Sequence, residues 1–282
     1  VADLLMNFHR LLHERKRVDW DGLPLVWAVV ALLWIVNFWW AVAANLTRWS
    51  ETRFVIEFAL AAIPPIVLFL MAGSVLPRTM PAVPGLDIDA RYLAAQKVSG
   101  DLYDVFRLGF DRIGVAVADV SGKGVSASLL MAICRTTLRQ IAPLHSSPAR
   151  VLAELNRTLA GDMREGMYIT MTYAVVDAGK NQITAARAGH ELSLLSRRDA
   201  STGAFLSEFI GSEGLPVGLV EAEFFDAAIE DKTLAFPIGS TLVLYTDGLT
   251  EAPNVDSKEF GGARLADALR AAHAGSAREI ND

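Results

Sequence analysis

The chain has 282 residues, 52% of them hydrophobic, with a mean hydropathy of +0.32 and a net charge of −6. That length holds one large domain with an appendage, and the acidic balance excludes a basic nucleic-acid-binding surface. A single cysteine, Cys134, excludes an intrachain disulfide and a cysteine metal cluster; set among Met131, Ile133 and Leu138, it reads as ordinary core.

The apolar excess is concentrated in the first 80 residues, where the tryptophans also lie. Residues 23–45 carry Asn37 as the only strongly polar residue before their end, and residues 54–76 are broken only by Glu57 near their start. A helix needs about 20 apolar residues to cross ~30 Å of hydrocarbon, so both runs are expected to span a lipid bilayer. Trp20 and Trp49 bracket the first run at interfacial depth. The short linker 46–53 makes the pair an antiparallel hairpin. Arg10, Arg15, Lys16 and Arg17 precede the first span, Arg48 and Arg53 lie in the linker, and Arg78 and Arg91 follow the second span. This asymmetry places both ends in the cytoplasm, as a multi-pass protein of the bacterial inner membrane. Pro64 and Pro65 should kink the second helix by removing backbone donors. Residues 1–22 then form a cytoplasmic N-terminal segment. Residues 77–85, with Pro77, Pro81, Pro84 and Gly85, form a linker.

A globular domain is expected over residues 86–282. Residues 86–90 alternate as a strand, and 102–108 and 113–118 are two short strands joined by a turn around Gly109. Residues 168–176, 182–188 and 192–196 form a meander, and 241–246 is a further apolar, β-branched run. Two helices lie between. The first covers 126–141, with Leu129, Leu130, Ile133, Leu138 and Ile141 at helical spacing. The second runs from Pro148 to about Leu159, capped by Ser147, with Val151, Leu152 and Leu155 on one face. Strands, then two adjacent helices, then strands imply an α+β layered sandwich.

Three acidic residues sit where a strand meets glycine. Asp101 follows Gly100, Asp119 ends the strand 113–118 and enters Ser121-Gly122-Lys123-Gly124, and Asp247 ends the run 241–246 before Gly248. Carboxylates at strand ends, with glycine admitting backbone and solvent, suit Mg²⁺ or Mn²⁺, which take oxygen ligands and keep several waters. Two such ions would place a bridging hydroxide for in-line attack on phosphorus. Singly, an Asp-Gly of this kind is usually a turn.

Residues 96–252 resemble the SpoIIE-like branch of the PPM metal-dependent protein phosphatases, a group that includes activators of bacterial stress and sporulation sigma factors. The matching stretches are Ser-Gly-Asp-Leu-Tyr-Asp (99–104), Ala-Asp-Val-Ser-Gly-Lys-Gly-Val-Ser-Ala-Ser-Leu-Leu-Met-Ala (118–132) and Tyr-Ile-Thr-Met-Thr-Tyr-Ala-Val-Val-Asp (168–177). Ala-Gly-His (188–190), Leu-Pro-Val-Gly-Leu (215–219) and Leu-Tyr-Thr-Asp-Gly-Leu-Thr-Glu-Ala (244–252) follow in the family's order. The resemblance implies a β-sandwich flanked by helices, with two Mn²⁺ or Mg²⁺ ions at one end. By motif position, Asp101 would bind one metal, Asp119 would bridge both, the Val120 carbonyl would add a ligand, and Asp247 would complete the other metal's carboxylates. The reaction implied is hydrolysis of phosphoserine or phosphothreonine, by a metal-bridging hydroxide, on a phosphorylated cytosolic regulator of the anti-sigma-factor antagonist type. A homodimer is left open. The two helices correspond to the family's regulatory pair.

The chain departs from the pattern in places. The family's terminal Asp-Asp-x-Thr motif, which supplies one more metal carboxylate, is not met before Asp282, so the domain reads as stopping short of its C-terminal end. Glu191 and Leu192 stand where Asn and Pro usually follow Ala-Gly-His, and Met167 stands where an aromatic is common. Lys123 belongs to no phosphate-loop pattern and reads as a loop lysine or a substrate contact. His190, alone at a strand end, reads as structural rather than as a general acid. Asp104 should point away from Asp101, in a supporting or surface role. The alternative to an enzyme is a pseudophosphatase that holds a phosphoprotein without turnover.

Overall fold

The computed structural model describes residues 80–93, 100–122, 124–164, 166–199, 201–272 and 275–281. The two expected membrane spans and the N-terminal segment 1–22 lie outside the described residues. Among the described residues no helix is long and apolar enough to cross a membrane.

In chain order the elements are β1 (Leu102–Arg107), β2 (Arg112–Val120), α1 (Val125–Ile141), α2 (Pro148–Leu159), β3 (Ile169–Asp177), β4 (Gln182–Ala188), β5 (Ser193–Arg198) and β6 (Phe205–Ile210). Then come α3 (Ala222–Ala228), β7 (Lys232–Ala235), β8 (Thr241–Val243), α4 (Asp247–Thr250), α5 (Gly262–Ala272) and α6 (Ala277–Asn281). Two antiparallel sheets result, one of order β1-β2-β3-β4-β7 and a smaller one of order β6-β5-β8.

Alternation along the strands sorts the side chains into layers. Leu102 and Phe106 of β1, Ala116, Ala118 and Val120 of β2, and Ile169, Met171 and Tyr173 of β3 face α1 and α2, forming the larger core with Leu138, Leu152 and Leu155. The intervening residues Val105, Ile113, Ala174, Val176 and Ile183 face the smaller sheet, where Leu195 and Ile210 meet them. On the far side of that sheet, Leu194 packs under Ala266 and Leu269 of α5. The order of layers is helices, large sheet, small sheet, helix, which is the α+β sandwich expected from the sequence.

The two predicted helices form close to their expected limits. Ser147 caps α2 by accepting a hydrogen bond from the Arg150 amide at 3.1 Å, and Pro148 occupies the first turn, where its missing donor costs nothing. The expected strand over residues 86–90 does not form. Pro81 and Pro84 lack amide hydrogens, Gly85 turns the chain at φ +80°, and the only pairing there is a bridge between Val83 and Leu86. The segment instead lays Val83, with Met80, Leu86 and Ile88, onto the core between the sheets.

Candidate metal centre

The same alternation positions the acidic residues. Leu102 pairs with Ala118 in the β1–β2 ladder, and Asp119 pairs with Thr170 in the β2–β3 ladder. Leu102 and Ala118 face the helices, so their neighbours Asp101 and Asp119 turn to the opposite face, at the open end of the space between the sheets. Asp247 reaches this place from the other sheet. The expected strand 241–246 pairs with β5 only as far as Val243, opposite Leu194. Residues 244–246 then leave the ladder, and the Tyr245 carbonyl takes a hydrogen bond from the region of β4 rather than from β5. Asp247 opens the short turn α4, its carbonyl accepting from the Glu251 amide at 2.8 Å.

Asp119 is pushed up to about 7, by burial first and then by the charges of Asp101 and Asp247, while the Val120 amide pulls it down. It also shares a hydrogen bond with the Asp101 carboxyl. Two carboxyls meet in this way only when one carries a proton, and a divalent cation would replace that proton with charge to spare. The backbone is shaped to let the group close up. A Cβ on Gly100 would stand 2.6 Å from the Val120 carbonyl oxygen and 3.1 Å from Asp119 Oδ1, so only glycine admits this approach. Oxygen donors crowded by mutual repulsion, with a carbonyl alongside, fit Mg²⁺ or Mn²⁺ rather than a softer metal. Among the described residues no three His, Cys, Asp or Glu side chains close into a finished ligand cage. Asp101 and Asp119 touch, and Asp247 acts on Asp119 through its charge.

The loop beyond Asp119 is held at its start, where Ser121 pairs twice with Tyr168. The Ser121 amide donates to the Tyr168 carbonyl at 2.9 Å, and Ser121 Oγ accepts from the Tyr168 amide at 2.8 Å. Gly122 and Gly124 adopt φ of +98° and +82°, which lets the chain reverse between Asp119 and the start of α1. Lys123 lies outside the described residues.

Asp104 does point away from Asp101, but the surface reading of it is corrected. It lies under α1 with no solvent exposure, bound by Arg139 Nε at 2.6 Å and Nη2 at 2.7 Å, with Arg135 Nε at 3.3 Å. Arg139 also stands over the Phe106 ring at 5.3 Å. A buried carboxylate needs such partners to stay charged. An arginine pair at helical spacing was the one sequence signal for it, and nothing local tied that pair to β1.

His190 is buried at 5% exposure, and both of its ring nitrogens are engaged. Nε2 lies 3.1 Å from the Tyr245 carbonyl and Nδ1 lies 2.9 Å from Thr170 Oγ1. Burial lowers the imidazole to about 4, outweighing the opposing influence of the Tyr245 carbonyl and Asp247, so the ring is neutral. With both nitrogens occupied it presents none to a substrate, in keeping with a structural reading. Thr170 and Arg187 were not singled out from the sequence; a polar residue on an otherwise apolar strand was the only hint.

A family model described as Stage II sporulation protein E (SpoIIE) matches residues 110–282. Among curated proteins, the phosphoserine phosphatase RsbU of Bacillus subtilis is 33% identical over 175 residues, 61% of this chain and 49% of that protein. The phosphoserine phosphatase RsbP of the same organism is 28% identical over 170 residues, 59% of this chain and 40% of that protein. The chain thus spans about half the length, or less, of these curated relatives. Among solved structures, the RsbU and RsbW domains of a Mycobacterium tuberculosis protein superpose with a TM-score of 0.54 at 26% identity, over 67% of this chain and 49% of that one. The PP2C phosphatase domain of SpoIIE from Bacillus subtilis, with a fragment of its regulatory domain, gives 0.53 at 20% identity, over 65% of this chain and 51% of that one; this likeness is one of fold.

Proposed function

The chain belongs to the Stage II sporulation protein E family, and from that premise we propose that it is a metal-dependent phosphatase acting on phosphoserine or phosphothreonine in a protein substrate. The observation that carries this reading is the gathering of Asp101, Asp119 and Asp247 at the mouth between the sheets, where burial first and then the charges of Asp101 and Asp247 raise Asp119 to about 7. Asp119, between the other two, would hold both of a pair of Mn²⁺ or Mg²⁺ ions. Asp101 and the Val120 carbonyl would serve one ion, and Asp247 the other. The ions when bound supply Lewis acidity toward the phosphoryl group and activation of water. The chain's own contribution is to hold oxygen donors from two sheets at one opening. Asp247, Gly248 and Leu249 are exposed at that opening, which suits a phosphorylated side chain carried on a protein surface better than a small molecule needing enclosure.

The substrate in this reading is a phosphorylated cytosolic regulator, such as an anti-sigma-factor antagonist. The relatives named as phosphoserine phosphatases support phosphoserine as the group removed. Membrane attachment through residues 23–45 and 54–76, with the catalytic unit in the cytoplasm, rests on their apolar length and on the flanking arginines. The test is hydrolysis of p-nitrophenyl phosphate and of a phosphoserine peptide by the full-length chain, with and without Mn²⁺, beside Asp119→Asn. Turnover that requires Mn²⁺ and is lost in the variant is expected. A folded chain that binds Mn²⁺ without turnover would favour the scaffold reading. Resistance of the protein to alkaline carbonate extraction from membranes tests the attachment.

A further inference from the structure

We propose that His190 is a positioning residue that ties the strand of Asp119 to the strand of Asp247 and so sets the spacing of the metal-binding carboxylates. This rests on reading Asp101, Asp119 and Asp247 as the metal centre.

The two halves of that centre come from different sheets. Asp119 lies on β2, directly paired with Thr170 of β3. Asp247 lies beyond β8, in a stretch that has already left the β5 ladder. Among the described residues no backbone ladder joins the large sheet to residues 244–247, so side-chain bonds across that gap help to set the distance between the two carboxylates. His190 stands in the gap. Its Nε2–H donates to the Tyr245 carbonyl at 3.1 Å, two residues before Asp247. A carbonyl only accepts, so Nε2 carries the ring proton and Nδ1 is an acceptor. Thr170 Oγ1 donates to that Nδ1 at 2.9 Å, and the carbonyl of Asp119 lies 3.4 Å from the same hydroxyl. One imidazole thus links the position opposite Asp119 to the approach of Asp247.

The ring is itself immobilised from behind. Arg187 Nη1 donates to the His190 carbonyl at 2.6 Å, and its Nε donates to the Ser212 carbonyl at 2.8 Å. The Arg187 amide donates to Ser212 Oγ at 3.1 Å. Gly189 bridges to Met171 of β3, next to Thr170. The His190 backbone is therefore fixed to β3, to the loop at Ser212 and to β4, and its side chain is fixed at both nitrogens. Groups that orient metal ligands without touching the metal act in this way, and their loss typically costs about 10- to 100-fold in metal affinity or activity; here both ring nitrogens are spent on spacing the carboxylates, so the loss falls on affinity.

The test is Mn²⁺ binding by isothermal titration calorimetry on the full-length chain in detergent, with kcat for p-nitrophenyl phosphate measured at saturating Mn²⁺. His190→Ala removes both bonds and should weaken Mn²⁺ binding on the order of 10- to 100-fold, with kcat at saturation close to wild type. His190→Gln places an amide donor where Nε2 stood and should recover part of the affinity. Thr170→Val removes only the other bond and should weaken Mn²⁺ binding less than His190→Ala. Thermal unfolding without metal establishes that each variant folds. If His190→Ala does not fold, Thr170→Val and His190→Gln decide. Wild-type Mn²⁺ affinity in the folded variants would overturn the proposal, as would a fall in kcat at saturation with affinity unchanged, which would make the ring a proton donor. A wild-type chain that binds no Mn²⁺ would overturn the metal centre and the proposal together, a result distinct from either.

Discussion

Asp119→Asn should stabilise the metal-free protein while abolishing its activity. In the absence of metal, the Asp119 carboxyl rises from 3.8 to about 7, through burial and then through repulsion from Asp101 and Asp247. A shift of about 3 pH units corresponds to about 4 kcal/mol for a group out of contact with water. Asp119 is only half-buried, and solvent screening leaves about 1–2 kcal/mol. A folded-state value raised above the unfolded one contributes stability that is complete below pH ~4 and is lost as pH climbs to ~7. Asparagine carries no charge to repel and keeps its stability across that range. In chelator at about pH 8, the variant should therefore melt about 3–6 °C above wild type, and the gap should narrow as pH falls below ~7 and close near pH ~4. Mn²⁺ should reverse the order, raising the melting temperature of wild type and leaving the variant unmoved. Differential scanning fluorimetry across pH, with and without Mn²⁺, measures all of this. A variant less stable than wild type in chelator at the higher pH, or one that keeps a full Mn²⁺ response, would refute the account of the carboxylate cluster.

Two further expectations concern the supports of the site. Asp104→Ala strands Arg135 and Arg139 beneath α1. Urea unfolding should show a loss of about 3 kcal/mol, toward the low end for a broken buried pair because Arg139 is 41% exposed and can turn to solvent. A loss below about 1 kcal/mol would mean that the pair behaves as a surface contact. Gly100→Ala drives a methyl group against the Val120 carbonyl and Asp119 Oδ1, which stand 2.6 and 3.1 Å from it. Mn²⁺ affinity should fall at least tenfold, on the order seen when groups around metal ligands are disturbed, while far-ultraviolet circular dichroism stays unchanged.

Much of this site was legible in the chain itself. Asp101, Asp119 and Asp247 each stand where a strand-like run meets glycine, Asp101 before its run and the other two after theirs, and period-2 alternation already separated Asp104 from Asp101. The helices α1 and α2 follow from apolar residues at helical spacing, with Ser147 and Pro148 marking the start of the second. Less was legible after residue 200. Strand β6 exposes Leu206 and Phe209 on a sheet edge, so its burial pattern carries no clean alternation. Strand β7 has only four residues, three of them exposed. The stretch 86–90 alternated like a strand, yet the nearby prolines and turn left it packed by side chains alone.

Periodicity and residue chemistry are local properties, and they were enough to name most of the elements before residue 200 and the acidic residues Asp101 and Asp119 that meet at the candidate site. Which strands become neighbours, and which distant groups meet, depends on how apolar faces separated by tens of residues pack together. That packing put Asp104 beneath two arginines of α1, and it turned residues 244–247 out of the small sheet toward β2. It also set one neutral imidazole between Thr170 and the Tyr245 carbonyl. No pattern within a window of the chain could specify such contacts, because the partners of each lie 20 to 55 residues apart.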